Sequence, residues 1–222
     1  MTFPYQVLQV PGEAALAKLT ELGSANAGFP IIVGDDEKLQ RLEESFAANA
    51  DQDIEQLIAT ASAIDPANWF IERQASDPEY YDIDEDDWPE EVSGSGHGLT
   101  SHRDILTGKH LAVVNIAMIP APEAWMVPCY LRIGGWNECP NPEEHAALFR
   151  YWGEKYGAVV ACVSDDVIEM TVARPPSTRE AALELAKEQF LYCSDIVHQG
   201  TETVEALAAG LLGARVWFFW WD

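Results

Sequence analysis

Arg215-Val216-Trp217-Phe218-Phe219-Trp220-Trp221-Asp222 closes the sequence with five consecutive aromatic residues and no turn former among them. A strand with one wet face alternates apolar and polar side chains, whereas a strand covered on both faces reads as an unbroken apolar run. The stretch therefore predicts a strand interior to a sheet. Each aromatic side chain can bury on the order of 150–250 Å², which makes this run the largest local reservoir of hydrophobic free energy in the chain. From Thr178 the sequence leads into it through a helix, a short polar loop and a second helix. The end of the chain must then be tied into the core.

Moving outward, Leu111 to Pro120 and Trp125 to Ile133 read as strands, the second with Pro128 implying an edge or a bulge. Gly134-Gly135-Trp136-Asn137 breaks that run. Asn141-Pro142-Glu143-Glu144 supplies a cap, a first-turn proline and early acidic residues in helical order, so a helix runs from there to Tyr156. Val159–Val163 and Val167–Val172 form a hairpin around Ser164-Asp165-Asp166. Toward the start, residues 5–10 and 29–34 are short strands. Helices are expected at about 13–23, after Asp35-Asp36-Glu37, at about 53–64, and from Pro66 onward.

The segment Asp77 to Glu91 carries nine acidic residues and no basic one, with Tyr80, Tyr81, Ile83 and Trp88 interleaved, and Gly94-Ser95-Gly96-His97-Gly98 follows. Residues 77–101 read as an acidic loop or linker between a helix-rich region, 1–76, and an α/β region, 102–222, within one compact unit. Tyr80, Tyr81 and Trp88 are apolar anchors that a plain solubilising linker does not need, so they should dock on the body or on a partner. The whole chain is strongly acidic, with 37 Asp and Glu against 13 Lys and Arg, a net charge of −24. Such a surface repels nucleic acid and anionic lipid and attracts basic partners, and it also serves solubility. No apolar run has the ~18 residues needed to span a bilayer. The N-terminal residues lack a signal-type pattern, so a cytoplasmic protein is expected. Cys129, Cys139, Cys162 and Cys193 are widely spaced without a CxxC pair, which favours free thiols.

Three stretches together resemble the bacterial DUF4253 family, a domain of unknown function. They are Tyr192-Cys193-Ser194-Asp195-Ile196-Val197-His198-Gln199-Gly200, the closing Val216 to Asp222, and Gly134-Gly135-Trp136-Asn137-Glu138-Cys139-Pro140. Phe29 to Gly34 and Thr100-Ser101-His102-Arg103-Asp104 extend the likeness. The resemblance implies a fold unit and a bacterial origin, and it carries no catalytic residues across.

Several chemistries can be weighed on the residues. Cys139 with His145 and Cys193 with His198 hold the ligand types of a zinc site, but neither spacing is a standard knuckle and small buried cysteines are the commoner case. Asp82, Asp84 and Asp86 start a calcium-loop pattern that fails at Asp87, where glycine belongs, and at Ser93, where glutamate belongs. His102-Arg103-Asp104 lacks the downstream asparagine and the other elements of a kinase loop. Ser93-Gly94-Ser95-Gly96 follows no strand and is no phosphate cradle. A nucleophilic Cys193 would sit at a helix C-terminus, the wrong end to lower a thiol pKa. No cofactor and no metal are therefore expected.

What remains is a set of polar and amphipathic groups at element ends: Trp136, Asn137, Tyr192, Asp195, His198, Gln199 and Asp222, joined by Tyr81 and Trp88 of the acidic segment. Asn137 and Asp195 also have the character of helix caps. The sequence thus points to an α/β chain, with α+β character, whose mixed sheet is flanked by helices. Its leading function is a non-catalytic acidic binding protein for a basic partner, immunity- or inhibitor-like. The alternative is a small-molecule-binding enzyme or sensor using the loops around Trp136 and Asp195.

Overall fold

The computed structural model describes residues 3–25, 28–76, 88–89 and 98–222. Most of the 77–101 segment, including Tyr80 and Tyr81, lies outside them. Strand β1 (Gln6–Val10) is followed by a short 3-10 turn and α1 (Ala15–Gly23), then β2 (Phe29–Gly34), α2 (Asp36–Ala48), α3 (Ile54–Ala63) and α4 (Pro66–Ser76). The second part brings β3 (Val114–Ile119), α5 (Val127–Leu131), α6 (Pro142–Tyr156), β4 (Ala158–Val163) and β5 (Val167–Val172). It closes with α7 (Arg179–Tyr192), a π turn (Val197–Thr201), α8 (Val204–Leu211) and β6 (Val216–Trp220). Local chemistry sets the helix starts. Asp35 accepts from the Lys38 amide, Asp53 from Glu55 and Gln56, and Thr178 from Ala181, while Asn141 and Glu144 form a capping box on α6.

The fold is α/β. Six strands form one mixed sheet in the order β1-β3-β2-β4-β5-β6, with β2 and β4 parallel and the other neighbours antiparallel. β2 therefore lies between β3 and β4, and the sheet is assembled from both ends of the chain. One face carries the main core, where Ile31, Ile119, Val160, Met170, Trp217 and Phe219 meet residues of the helices such as Leu148, Trp152, Leu185 and Tyr192. The other face holds a smaller cluster of Ile32, Ile116, Ala161 and Cys162 under Ala15 and Leu99.

Two expectations are corrected. The aromatic strand is at the edge of the sheet, paired with β5 alone. Its burial alternates after all: Trp217, Phe219 and Trp221 are buried under the helices, while Phe218 is 40% exposed on the opposite face. Aromatics on both faces hid the two-residue period. The run from Trp125 to Ile133 is helical, a turn at Ala124–Met126 leading into α5. Pro128 there occupies the first helical turn, where its missing N–H costs nothing. After β3 the element order is accordingly α-α-β-β-α-α-β.

Candidate functional site

Edge strand β6 and the chain before it build the site. Trp221 N donates to Asp166 O and Val172 N to Arg215 O. With the antiparallel β5–β6 register, this sets the odd-numbered β6 residues against β5 and turns the amides and carbonyls of Val216, Phe218 and Trp220 to the outer side. The Cys193 thiol donates to Trp220 O at 3.0 Å. Among the described residues, nothing else engages these outward backbone groups.

Between that edge, the end of α7, the π turn and α8 runs a trough of about 350 Å³, with Gln189, Asp195, Gln199, Gly210, Val216 and Phe218 among its lining residues. Two of its lining residues carry a buried donor with no partner among the described residues: Gln189 Nε2 and Trp217 Nε1, each on a side chain only 1% exposed. Such groups normally find an acceptor. Gly210, Val216 and Phe218 also border a second groove, of about 490 Å³, on the less covered face of the sheet. Its floor is Val167, Glu169, Val216 and Phe218, and its wall is the loop from Thr100 to Gly108.

That wall is fixed by a carboxylate. Glu169, fully buried on β5, accepts from the amides and hydroxyls of Thr100 and Ser101 at 2.6–2.9 Å. Asp104 accepts from Thr107 N and Oγ1, and these bonds hold its carboxyl below the usual range. The loop tip then presents Ile105 and Leu106 almost wholly to solvent. The sequence reading missed Glu169, Gln189 and this groove. A lone glutamate in Val167-Ile168-Glu169-Met170 looks like a wet-face residue, and its partners are about seventy positions upstream.

The residues singled out by sequence separate into groups. Four converge at the far end of β6: Asn137 Nδ2 donates to Asp222 O at 2.6 Å, Asp222 N to Asp195 Oδ2 at 3.0 Å, and Gln199 Nε2 to Asp195 Oδ1 at 3.0 Å. This network clamps the strand end to the loop at Asn137, which sits at positive φ after Gly134 and Gly135. Gly134 belongs there because a Cβ would run into the Pro140 carbonyl and lie 2.8 Å from His145 Nε2. Trp136 is half-buried against the core beside them. His198 is exposed, its ring edge-on to Phe190. Trp88 packs on the core under the Arg179 guanidinium, 4.8 Å from its ring centre. Tyr81 is outside the described residues.

Tyr192 is elsewhere, in the core. Its hydroxyl lies 2.6 Å from His145 Nδ1, whose Nε2 lies 3.4 Å from Cys139 Sγ. Burial drives His145 down to about 3 and pushes both the Cys139 thiol and the Tyr192 hydroxyl up. The three groups are neutral at pH 7 and act as a buried relay of polar packing, with the imidazole donating through one nitrogen and accepting through the other. A nucleophilic cysteine needs the opposite shifts. Cys193, raised to about 12 by burial, is likewise a thiol, and it is tied to Trp220 rather than to His198. Of the cysteines and histidines weighed for a metal site, Cys139 meets His145, whereas the Cys193 thiol bonds Trp220 and His198 lies against Phe190.

Residues 115–222 match a family model described as a domain of unknown function, DUF4253. The matched span runs from β3 to β6, so β2 and the Thr100-Ser101 anchor, both integral to the sheet and the site, lie outside it. The stretches Phe29 to Gly34 and Thr100 to Asp104 are thus beyond the matched residues. No curated protein and no solved structure matches the chain. Among the described residues, no helix is long and apolar enough to cross a membrane.

Proposed function

We propose that this chain, whose residues 115–222 belong to the DUF4253 family, is a non-catalytic binding protein for a basic protein, acting in the manner of an immunity protein or inhibitor. One observation carries the reading: an acidic chain of net charge −24 keeps an open, mainly apolar groove system beside an edge strand, with Phe218, Ile105 and Leu106 exposed around it. An apolar centre within a charged surround suits steered protein association. The neutral Cys139–His145–Tyr192 relay and the raised thiols support a non-catalytic role. Four unpaired, buried cysteines support a reducing, cytoplasmic setting.

The test uses the purified chain and basic proteins captured on it from its own cells at low salt, each then purified. Association should slow about tenfold or more between roughly 20 and 200 mM salt, and Phe218→Asp should weaken the complex. A partner held equally by Phe218→Asp, or one that is not basic, would contradict the reading.

One observation favours a second reading, a small-molecule enzyme or sensor. The groove of about 490 Å³ on Glu169 has the size of a ligand pocket and includes Lys38 and Arg103 beside its apolar floor. A thermal-shift screen with small anionic amphiphiles separates the two: stabilisation abolished by Ser101→Trp would favour it.

A further inference from the structure

The edge of β6 combines three features that point to one kind of occupant. Among the described residues, its outer side leaves the amides and carbonyls of Val216 and Phe218 unengaged, at the alternating spacing of an open sheet edge, while the Trp220 end is closed by Cys193 and Asp195. Gln189 and Trp217, two residues of the trough lining, each carry a buried donor, Nε2 and Nε1, that has no acceptor among the described residues. Gly210 on α8, one of the trough's wall residues, has open space where a side chain would project. An open edge of alternating amides and carbonyls calls for an occupant that supplies both acceptors and donors. A polypeptide in extended form supplies a carbonyl every second residue on the side facing an edge, together with the amides that the Val216 and Phe218 carbonyls need.

Resting on the binding-protein reading, we propose that an extended segment of a basic partner adds to the sheet as a seventh strand along β6. Its backbone would bond Val216 and Phe218. Its apolar side chains would lie against Phe218 and the groove beyond it. Its cationic side chains would face the acidic chain, with Asp195 and Asp222 at the Trp220 end. The Asn137–Asp222–Asp195–Gln199 clamp has a role in this arrangement, since it fixes the chain just beyond β6. Strand addition gives affinity through the main chain and selectivity through alternate side chains.

The probe is a labelled peptide of roughly nine residues alternating lysine and valine, long enough to span an edge strand, followed by fluorescence anisotropy on the full chain. The peptide should bind, and a glutamate–valine peptide should not. N-methylation of the peptide amides along one edge should weaken binding about tenfold or more, as lost main-chain bonds require. Gly210→Trp should weaken it to a similar degree with its melting temperature retained. If Gly210→Trp does not fold, Phe218→Lys, at an exposed position, decides the matter in the same way. Unchanged affinity for the N-methylated peptide, or for the folded variant, would overturn strand addition while salt-sensitive binding kept the broader reading alive. Failure of the lysine–valine peptide and of basic proteins alike to bind would remove both.

Discussion

At the residue scale the structure turns on a few side chains whose surroundings leave no freedom. His145 is neutral in the fold, at about 3, against an ordinary value near 6.5. Between those values the unfolded chain binds the proton and the folded one does not, so stability falls as pH drops from about 6.5 toward 3, by up to ~1.4 kcal/mol per pH unit. His145→Gln keeps a hydrogen-bonding side chain without the titration. Denaturant melts between pH 4 and 6 should therefore show a shallower acid slope for the variant; an identical slope would contradict the assignment. Gly134→Ala should cost on the order of 3 kcal/mol or more, because positive φ and the Pro140 carbonyl both oppose a Cβ. Glu169→Gln turns an acceptor for four donors into a side chain with two N–H groups among them, and should cost ~2 kcal/mol or more. Faster hydrogen exchange at Thr100 and Ser101 would accompany that loss, and an unchanged melt would refute it. The Gly134-Gly135-Trp136-Asn137 break was legible because glycine and asparagine announce positive φ. Glu169 was not, since burial among distant donors leaves no local pattern.

At the scale of elements, caps and periodicity made most helices and the β4–β5 hairpin readable, and failure came where two signals share one appearance. Pro128 fits an edge strand or a first helical turn equally well in sequence, and only packing of α5 against α6 decides. The aromatic run of β6 fits a strand interior to the sheet or an edge strand with an aromatic on its open face. Its energetic weight is nonetheless as expected, because Trp217 and Phe219 are buried among Trp152, Tyr156 and Tyr192. Trp217→Ala should cost about 3–5 kcal/mol, as for large-to-small aromatic changes in cores, and deletion of Trp217 to Asp222 should abolish the cooperative melt. Trp88→Ser removes a half-buried ring and its contact with Arg179, so chemical denaturation should register a loss of ~1–2 kcal/mol. No loss would mean that Trp88 contributes little to the body.

At the scale of the molecule, the two halves read from the sequence share one sheet, since β2 is inserted between β3 and β4. That pairing is long-range and has no local signature. The candidate site was legible in part: Asp195, Gln199, Asn137 and Asp222 do come together, at the end of a trough whose walls no motif foretold. Net charge −24 adds self-repulsion that salt should relieve, so the melting temperature should rise with ionic strength even as partner association slows. The central claim is that binding takes place at the edge of β6 rather than anywhere on a uniformly acidic surface. The most direct measurement is a titration of the isotope-labelled chain with the lysine–valine peptide, observed through the Trp217 indole N–H, the Gln189 side-chain amide and the Val216 and Phe218 backbone amides. These signals should shift together and saturate at one equivalent, with the Val216 and Phe218 amide protons moving downfield as they gain acceptors. Shifts spread over α2 and α3 with those four groups unmoved would contradict the account.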